Sequence, residues 1–147
     1  VVRHNISLPP GVFAGDAVID LFSNRLDWDA HPYYQGIRGL QVSAHFFIRR
    51  DGRLVQCVPC SLRAWHAGVS SWAGRARCND FSIGIELEGS DDLPFTEAQY
   101  AALLPLLNTL KRTYPIRAVV GHSDIAPGRK TDPGPHFAWH RLDESVA

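Results

Sequence analysis

The sequence lacks several features that would each place it in a particular class of protein. No run approaches the roughly 18 consecutive apolar residues of a membrane-spanning helix. The N-terminus does not show the order of charged, apolar and small residues that marks a signal peptide. The formal net charge is +0, which does not favour a nucleic-acid surface or a membrane-adsorbing face. We therefore expect a partner bound in a local site, with no nucleic acid and no membrane, while the oligomeric state is unknown from sequence.

Methionine is absent and cysteine is scarce. The absence of Met, an initiator included, predicts a processed or trimmed chain. The cysteines are Cys57, Cys60 and Cys78, and an odd number cannot all pair within one chain, so we expect a reducing, cytoplasmic location. Cys57 and Cys60 have CxxC spacing, but no second CxxC completes a four-thiolate zinc site. We interpret them as small, semi-buried thiols.

The 147 residues, 45% of them apolar, are enough for one globular domain spanning 1–147. Hydrophobic periodicity predicts an α/β fold, a single domain with a central mixed β-sheet flanked by helices. In chain order, we predict strands at 1–4, 41–50, 53–58, 81–87 and 117–121, a helix at 16–25, and a longer helix after Thr96.

Two local signals support this assignment. Asp51-Gly52 between two β-prone runs indicates a hairpin, because both residues tolerate positive φ. Thr96 and Gln99 have the spacing of a capping box, so a long helix should begin there. Pro105 should kink this helix and Pro115 should end it.

The segment GHSDIAPGRKTDPGP, residues 121–135, brings together His122, Lys130 and Asp132. Lys130 is one of only two lysines, against thirteen arginines, and so is not generic surface charge. His4 and His122 each end a predicted strand. If those strands are neighbours, two imidazoles and the Asp132 carboxylate can form a three-ligand site with a fourth position open, as in catalytic zinc sites.

This set of residues alone leaves other chemistries open. The gap between His122 and Asp132 matches no short zinc signature. Two histidines and a carboxylate also describe the iron(II) site of non-haem oxygenases. Glu86 and Glu88 alternate onto one face of a predicted strand and could form the carboxylate pair of an inverting glycosidase.

Five motifs occur in an order that narrows these choices. They are HNISLPPG (4–11), VSAHFFIRRDG (42–52), RAWHAGVSSW (63–72), CNDFSIGIELEG (78–89) and the 121–135 segment. Together they resemble the AmpD-type N-acetylmuramoyl-L-alanine amidases, a zinc amidase family that includes phage amidases and peptidoglycan-recognition proteins. The resemblance implies hydrolysis of the amide between the lactyl group of N-acetylmuramic acid and L-alanine, in recycling of 1,6-anhydro-muropeptides or peptidoglycan fragments.

The same resemblance implies specific roles. The implied zinc ligands are His4, His122 and Asp132, the catalytic groups Glu86 and Lys130, and the substrate contacts Asn5, Trp65 and Arg77. In this scheme Glu86 accepts a proton from the attacking water and passes it to the departing nitrogen, while Lys130 faces the oxyanion. His66 could extend an aromatic wall from Trp65, and His45 is expected to be a core histidine.

Two positions depart from relatives. Ala44 stands where phage-type amidases carry a tyrosine, so proton transfer is expected to depend on Glu86. Arg3 precedes the first implied ligand, where relatives usually have an apolar residue. A non-hydrolytic binding module would share the fold, but such proteins commonly lose a metal ligand, and all three are present here.

Overall fold

A five-stranded mixed β-sheet organises the computed structural model, which describes residues 1–142. The strands are β1 (Val2–Ile6), β2 (Phe46–Ile48), β3 (Leu54–Gln56), β4 (Ser71–Trp72), β5 (Arg75–Ala76), β6 (Gly84–Glu88) and β7 (Val120–Gly121). The α-helices are α1 (Ala17–Phe22), α2 (Glu97–Thr113) and α3 (His122–Ile125), and 3-10 helices span Pro32–Ile37 and Cys78–Asp80. Residues 143–147, the last of the predicted domain, lie outside the described residues.

The strand order of the main sheet is β3-β2-β6-β1-β7. Strand β1 pairs in parallel with β6 and β7, and β2 pairs in parallel with β6. Only the β2–β3 pair within this described sheet is antiparallel. The predicted α/β fold with a mixed sheet is therefore confirmed. Strands β4 and β5 form a separate antiparallel pair.

Side chains along the central strands alternate between the two faces of the sheet, so that one face packs into the core and the other faces the site. Ile85 and Leu87 of β6 are fully buried and belong to the same apolar cluster as Leu103 and Leu107 of α2. Because successive side chains of a strand point to opposite faces, Glu86 points away from that cluster. Glu86 is the register partner of His4 on β1, so the two side chains share the other face of the sheet.

Helix α2 begins and ends as its sequence predicts. The Thr96 hydroxyl accepts from the Gln99 backbone N–H, and the Gln99 side chain accepts from the Thr96 N–H, which completes the capping box. Tyr114, the residue before Pro115, is extended and caps the helix. Pro105 lies inside α2, and the kink expected there stays a prediction. Within residues 1–142, no helix is long and apolar enough to cross a membrane.

The predicted hairpin is present, but its turn and strand lengths differ from expectation. Of Asp51 and Gly52, only Gly52 adopts a positive φ, of 88°. The Gly52 N–H donates to the Arg49 carbonyl and the Arg49 N–H donates to the Arg53 carbonyl, which gives a three-residue loop rather than the two-residue turn. The runs 41–50 and 53–58 contribute only β2 and β3: the Ser43 N–H donates to the Trp65 carbonyl, and the His45 carbonyl accepts from the N–H groups of both Cys57 and Val58, where the regular pairing ends.

Other strand and helix boundaries also differ from the sequence predictions. Strand β1 continues through Ile6, which pairs with Glu88, so His4 lies in the middle of the strand and not at its end. Helix α1 ends at Phe22, where Ser23 caps it and Asn24 turns into the left-handed region at φ 59°. The segments predicted at 81–87 and 117–121 form strands only over Gly84–Glu88 and Val120–Gly121.

The unusual Arg3 is fully buried on the α2 side of the sheet. Its guanidinium carbon lies 4.8 Å from the centre of the Phe137 ring and 4.4 Å from that of Trp139. None of its side-chain nitrogens has a hydrogen-bond partner within the described residues. Cation–π contact with two aromatic rings therefore takes the place of the apolar packing expected at this position, and β1 remains buried.

Candidate metal centre

The parallel register of the sheet places the two candidate histidine ligands side by side. Arg3 is paired with Gly121, and His122 follows Gly121 as the first residue of α3. The residue after Arg3 is His4, so both imidazoles emerge at the same level of neighbouring strands. The chain then returns after α3, and the Ser123 N–H donates to the Asp132 carbonyl. This backbone contact brings the Asp132 carboxylate to the two rings.

His4, His122 and Asp132 converge on one point. The two histidine Nδ1 atoms are 2.9 Å apart. The Asp132 carboxylate oxygens lie 3.2 Å from Nδ1 of His4 and 3.3 Å from Nδ1 of His122. Both histidines are buried and Asp132 is partly buried. The structure therefore brings together the three residues that the sequence resemblance implied as ligands.

Hydrogen bonds on the far side of each ring determine which nitrogen faces this point. Nε2 of His122 is 2.8 Å from the Ala67 carbonyl, which can only accept, so Nε2 carries the proton. Nε2 of His4 is 2.9 Å from Nδ1 of His66. Nε2 of His66 is in turn 3.2 Å from the Ser82 hydroxyl, whose own proton goes to the Cys78 carbonyl.

This order of donors leaves an unprotonated Nδ1 on each neutral ligand histidine. Two nitrogen lone pairs and a carboxylate then face one another at 2.9–3.3 Å, an arrangement that a cation between them would stabilise. Ligand atoms at about 2.0–2.1 Å from a tetrahedral zinc ion would be separated by about 3.3 Å. The donor set and its spacing therefore fit a zinc-sized divalent ion.

The electrostatics of His4 and Asp132 favour a neutral imidazole and an ionised carboxylate. Burial lowers the pKa of His4, although the Asp132 carboxylate opposes that effect. Burial alone would raise the pKa of Asp132, but its contacts with His122 and His4 outweigh burial and hold that pKa below its ordinary value. Neutral imidazole and ionised carboxylate are the forms that bind metals.

Glu86 lies beside this centre and is almost fully buried. Its Oε1 atom is 4.0 Å from Nδ1 of His4, and its Oε2 atom has no hydrogen-bond partner in the part of the chain that the structure describes. Burial raises the pKa of Glu86 well above its ordinary value, the nearby Asp132 adds to this, and Lys130 partly opposes it. A carboxylate with a raised pKa next to the candidate ligands is a stronger proton acceptor than an ordinary one.

A cavity of about 670 Å³ opens over these residues. It is lined by the three candidate ligands and Glu86, and by Asn5, Trp65 and Lys130. Lys130 is exposed, so its ammonium group is free to meet a ligand in the cavity. The Trp65 side chain is 52% exposed, which leaves its ring available for stacking.

Two of the predicted substrate contacts have different surroundings from those expected. The Asn5 amide group donates to Asp91, at 2.6 Å, and to the Pro133 carbonyl, at 3.2 Å. Only its side-chain oxygen therefore remains for a ligand. Arg77 is exposed in a left-handed conformation at φ 61° and is not among the residues that line the cavity. Its predicted role in substrate binding stays a prediction.

Comparison with known proteins identifies the family of the chain. A profile described as N-acetylmuramoyl-L-alanine amidase matches residues 9–135. The chain belongs to this amidase family. The family that the sequence motifs predicted is therefore confirmed.

Individual relatives agree with this assignment. The chain is 59% identical over 144 residues to the 1,6-anhydro-N-acetylmuramyl-L-alanine amidase AmpD of Citrobacter freundii, covering 97% of this chain and 77% of the relative. A crystal structure of selenomethionine AmpD superposes with a TM-score of 0.96 at 57% identity, covering 99% of this chain and 83% of that one.

A second solved structure contains a ligand. The Escherichia coli amidase AmiD, in complex with the substrate anhydro-N-acetylmuramic acid-L-Ala-D-γ-Glu-L-Lys, superposes with a TM-score of 0.71 at 35% identity. The match covers 98% of this chain and 55% of AmiD. AmiD thus shares the fold of this amidase and binds an anhydro-muropeptide.

Sequence reasoning missed the residues of this amidase that orient the candidate ligands. His66, expected to extend an aromatic wall from Trp65, lines the same cavity, but it is largely buried and its Nδ1 atom contacts Nε2 of His4. The Asn79 side-chain oxygen accepts from the backbone N–H groups of His66 and Ala67, and so holds both residues in place. The motifs RAWHAG and CNDFS contain these residues, but only the fold shows that they are adjacent to the ligands.

Proposed function

We propose that this chain is a zinc-dependent amidase acting on muropeptides in cell-wall recycling. It would hydrolyse the amide between the lactyl group of (1,6-anhydro-)N-acetylmuramic acid and L-alanine, with residues 1–147 as one catalytic domain. The observation that carries the proposal is the convergence of His4, His122 and Asp132 in a family of amidases. The substrate is supported by the high identity to AmpD and by the ligand of AmiD.

The metal in this proposal is Zn²⁺, held by His4, His122 and Asp132. When bound, zinc would lower the pKa of a coordinated water from about 15.7 towards 7 and polarise the substrate carbonyl. Iron(II) accepts a similar donor set. Zinc is preferred because hydrolysis needs no redox change.

Glu86 is the general base and later the general acid of the proposed reaction. Its carboxyl group faces the ligands from the neighbouring strand, and its Oε2 atom has no hydrogen-bond partner among residues 1–142. It can therefore take a proton from the attacking water and deliver it to the departing L-alanine nitrogen. Burial raises the pKa of Glu86, so this carboxylate binds a proton more readily than an exposed one does, which suits the first transfer.

Lys130 stabilises the negative oxygen that develops on the attacked carbonyl. Its ammonium group lies on the loop that carries Asp132 and lines the same cavity. A donor fixed at an oxyanion typically contributes about 2.7–4 kcal/mol to transition-state stabilisation. Trp65 and the Asn5 oxygen are proposed to contact the sugar or peptide, and Arg77 is proposed to bind a more distant group of the substrate.

A glycosidase is not favoured by the surroundings of Glu88. Its Oε1 atom accepts from the Arg50 N–H at 3.1 Å, and its Oε2 atom lies 3.6 Å from an Arg49 nitrogen. Glu88 is buried and does not line the cavity beside Glu86. It therefore lacks the access to solvent that the second carboxylate of a glycosidase needs.

We also propose a cytoplasmic location, as the resemblance to recycling amidases implies. Cys57, Cys60 and Cys78 are all free thiols, which is compatible with a reducing compartment.

Product identification tests the proposed reaction. Zinc-loaded protein would be incubated with an anhydro-muropeptide and the products identified by mass spectrometry. Release of the intact peptide and the intact anhydro-sugar is expected. A shortened glycan with the peptide still attached would contradict the proposal and indicate a glycosidase.

A further inference from the structure

His66 is buried beside the candidate metal centre, and no role in the reaction has been given to it. Its Nδ1 atom lies 2.9 Å from Nε2 of His4, and the planes of the two rings meet at 78°. Only 8% of the residue is exposed. His66 also lines the cavity, but its Nδ1 atom is occupied by His4 and its Nε2 atom by Ser82, so neither nitrogen is left for a substrate.

The hydrogen bonds behind His66 run in one direction. The Cys78 carbonyl can only accept, so the Ser82 hydroxyl donates to it, at 2.6 Å. Since that hydroxyl proton is used, the Ser82 oxygen accepts from Nε2 of His66, at 3.2 Å. Nδ1 of His66 is then unprotonated and accepts from Nε2 of His4. The Cys78 carbonyl therefore sets the donor-to-acceptor direction of every hydrogen bond in this series.

The backbone is shaped to admit the His66 ring. A Cβ atom at Gly84 would lie 2.5 Å from Cγ of His66, a distance that real side chains do not adopt. Gly84 is the first residue of β6, the strand that carries Glu86. Glycine at this position therefore lets the ring lie against the strand, directly behind His4.

We propose that His66 is a positioning residue that, through the relay His4–His66–Ser82–Cys78 carbonyl, keeps Nδ1 of His4 unprotonated and directed at the metal. The inference depends on the proposed metal site and extends it, because it assigns a new residue to ligand orientation. Histidine ligands commonly donate their second N–H to a fixed acceptor, and loss of that acceptor costs about 10- to 100-fold in metal affinity. Here the acceptor is a second histidine whose own tautomer is also fixed.

Zinc affinity, measured by competition with a chelator, tests this role. His66→Phe keeps a ring near Gly84 but removes both nitrogens, and the zinc dissociation constant should rise about 10- to 100-fold. His66→Asn retains an acceptor near the position of Nδ1 and should recover most of the affinity. Tyr100→Phe is the control, since it loses one hydrogen bond, from the Ala138 N–H, and should leave zinc affinity unchanged. Wild-type affinity in His66→Phe would overturn the inference.

A second measurement needs no variant and so does not depend on whether His66→Phe folds. In zinc-loaded protein with ¹⁵N-labelled histidine, NMR should detect scalar coupling through the hydrogen bond between Nε2 of His4 and Nδ1 of His66. The ¹⁵N shifts of His66 should indicate a proton on Nε2. Zinc-bound protein without that coupling would overturn the role of His66 alone. Wild-type protein that binds no zinc would instead contradict the proposed function.

Discussion

The Nδ1 atoms of His4 and His122 lie 2.9 Å apart, although 118 positions separate the two residues in the sequence. The parallel pairing of β1 with β7 brings them together, and their outer nitrogens are both occupied as donors. Two lone pairs held this close, with the Asp132 carboxylate beside them, are electrostatically unfavourable without a cation. The proposed metal site follows from this arrangement of the two histidines and Asp132.

Glu86→Gln should lower turnover by about 100- to 10,000-fold while zinc remains bound, because an amide cannot take a proton from water. The measurement is the rate of peptide release together with zinc content. Glu88→Gln is the matched control on the same strand, since Glu88 bonds to Arg50 and not to the site. Glu88→Gln should retain the activity, and equal losses in both variants would contradict the assignment of Glu86.

Lys130→Ala should lower kcat by about 100- to 1,000-fold, the usual effect of removing one oxyanion donor. The chain offers a clean control, because its other lysine, Lys111, lies in the last turn of α2. Lys111→Ala should have wild-type kcat. If Lys130→Ala raised KM but left kcat unchanged, Lys130 would bind substrate without stabilising the transition state.

The contribution of Glu86 to the stability of the metal-free protein should fall as pH rises. Burial raises the folded-state pKa of this carboxyl group well above 4.5, so between 4.5 and that folded-state pKa the folded protein binds more protons than the unfolded chain. Stability from this group is therefore greatest below pH 4.5 and declines as pH rises through the folded-state pKa. Glu86→Gln is neutral in both states and lacks this decline.

Urea unfolding in the presence of a chelator, between pH 4 and 8, checks this prediction. The unfolding free energy of Glu86→Gln minus that of the wild type should increase with pH. A difference that does not change with pH would contradict a raised pKa for Glu86.

Asp91 should fix the loop that carries the Asp132 ligand. Its carboxylate accepts from the side chains of Asn5 and Thr131, which are the neighbours of His4 and Asp132 in the sequence. Asp91→Ala should reduce zinc affinity and lower the unfolding free energy by about 2 kcal/mol, since two hydrogen bonds to a carboxylate are lost. Chelator competition and urea unfolding measure these effects.

The adjacent Asp92 provides the comparison for Asp91. Its side chain is exposed, and Asp92→Ala should leave both zinc affinity and stability unchanged. Equal effects of the two substitutions would show that negative charge near the cavity matters, and not the contacts of Asp91.

Features encoded by neighbouring residues could be predicted from the sequence. The capping box of α2 and the hairpin around Gly52 depend on contacts between residues close in the chain. The hairpin of β4 and β5 could not be predicted, because its turn lacks the usual local signal. Its turn residues, Ala73 and Gly74, both have positive φ, but alanine rarely begins such a turn, so the usual Asn-Gly or Asp-Gly signal was lacking.

The motifs identify the candidate ligands, but they do not identify the residues that contact those ligands from behind. His66, Asn79 and Ser82 act on the ligands through contacts that depend on how a long loop folds against β6. The environment of Arg3 likewise requires Phe137 and Trp139 to approach from the far end of the described chain. Neither periodicity nor spacing encodes such contacts.

Titration of metal-free protein with zinc, while peptide release from an anhydro-muropeptide is measured, tests the central claim most directly. Activity should be absent without metal and should rise to its maximum at one equivalent of zinc, because His4, His122 and Asp132 form one site. Full amidase activity in protein shown to contain no metal would contradict the account.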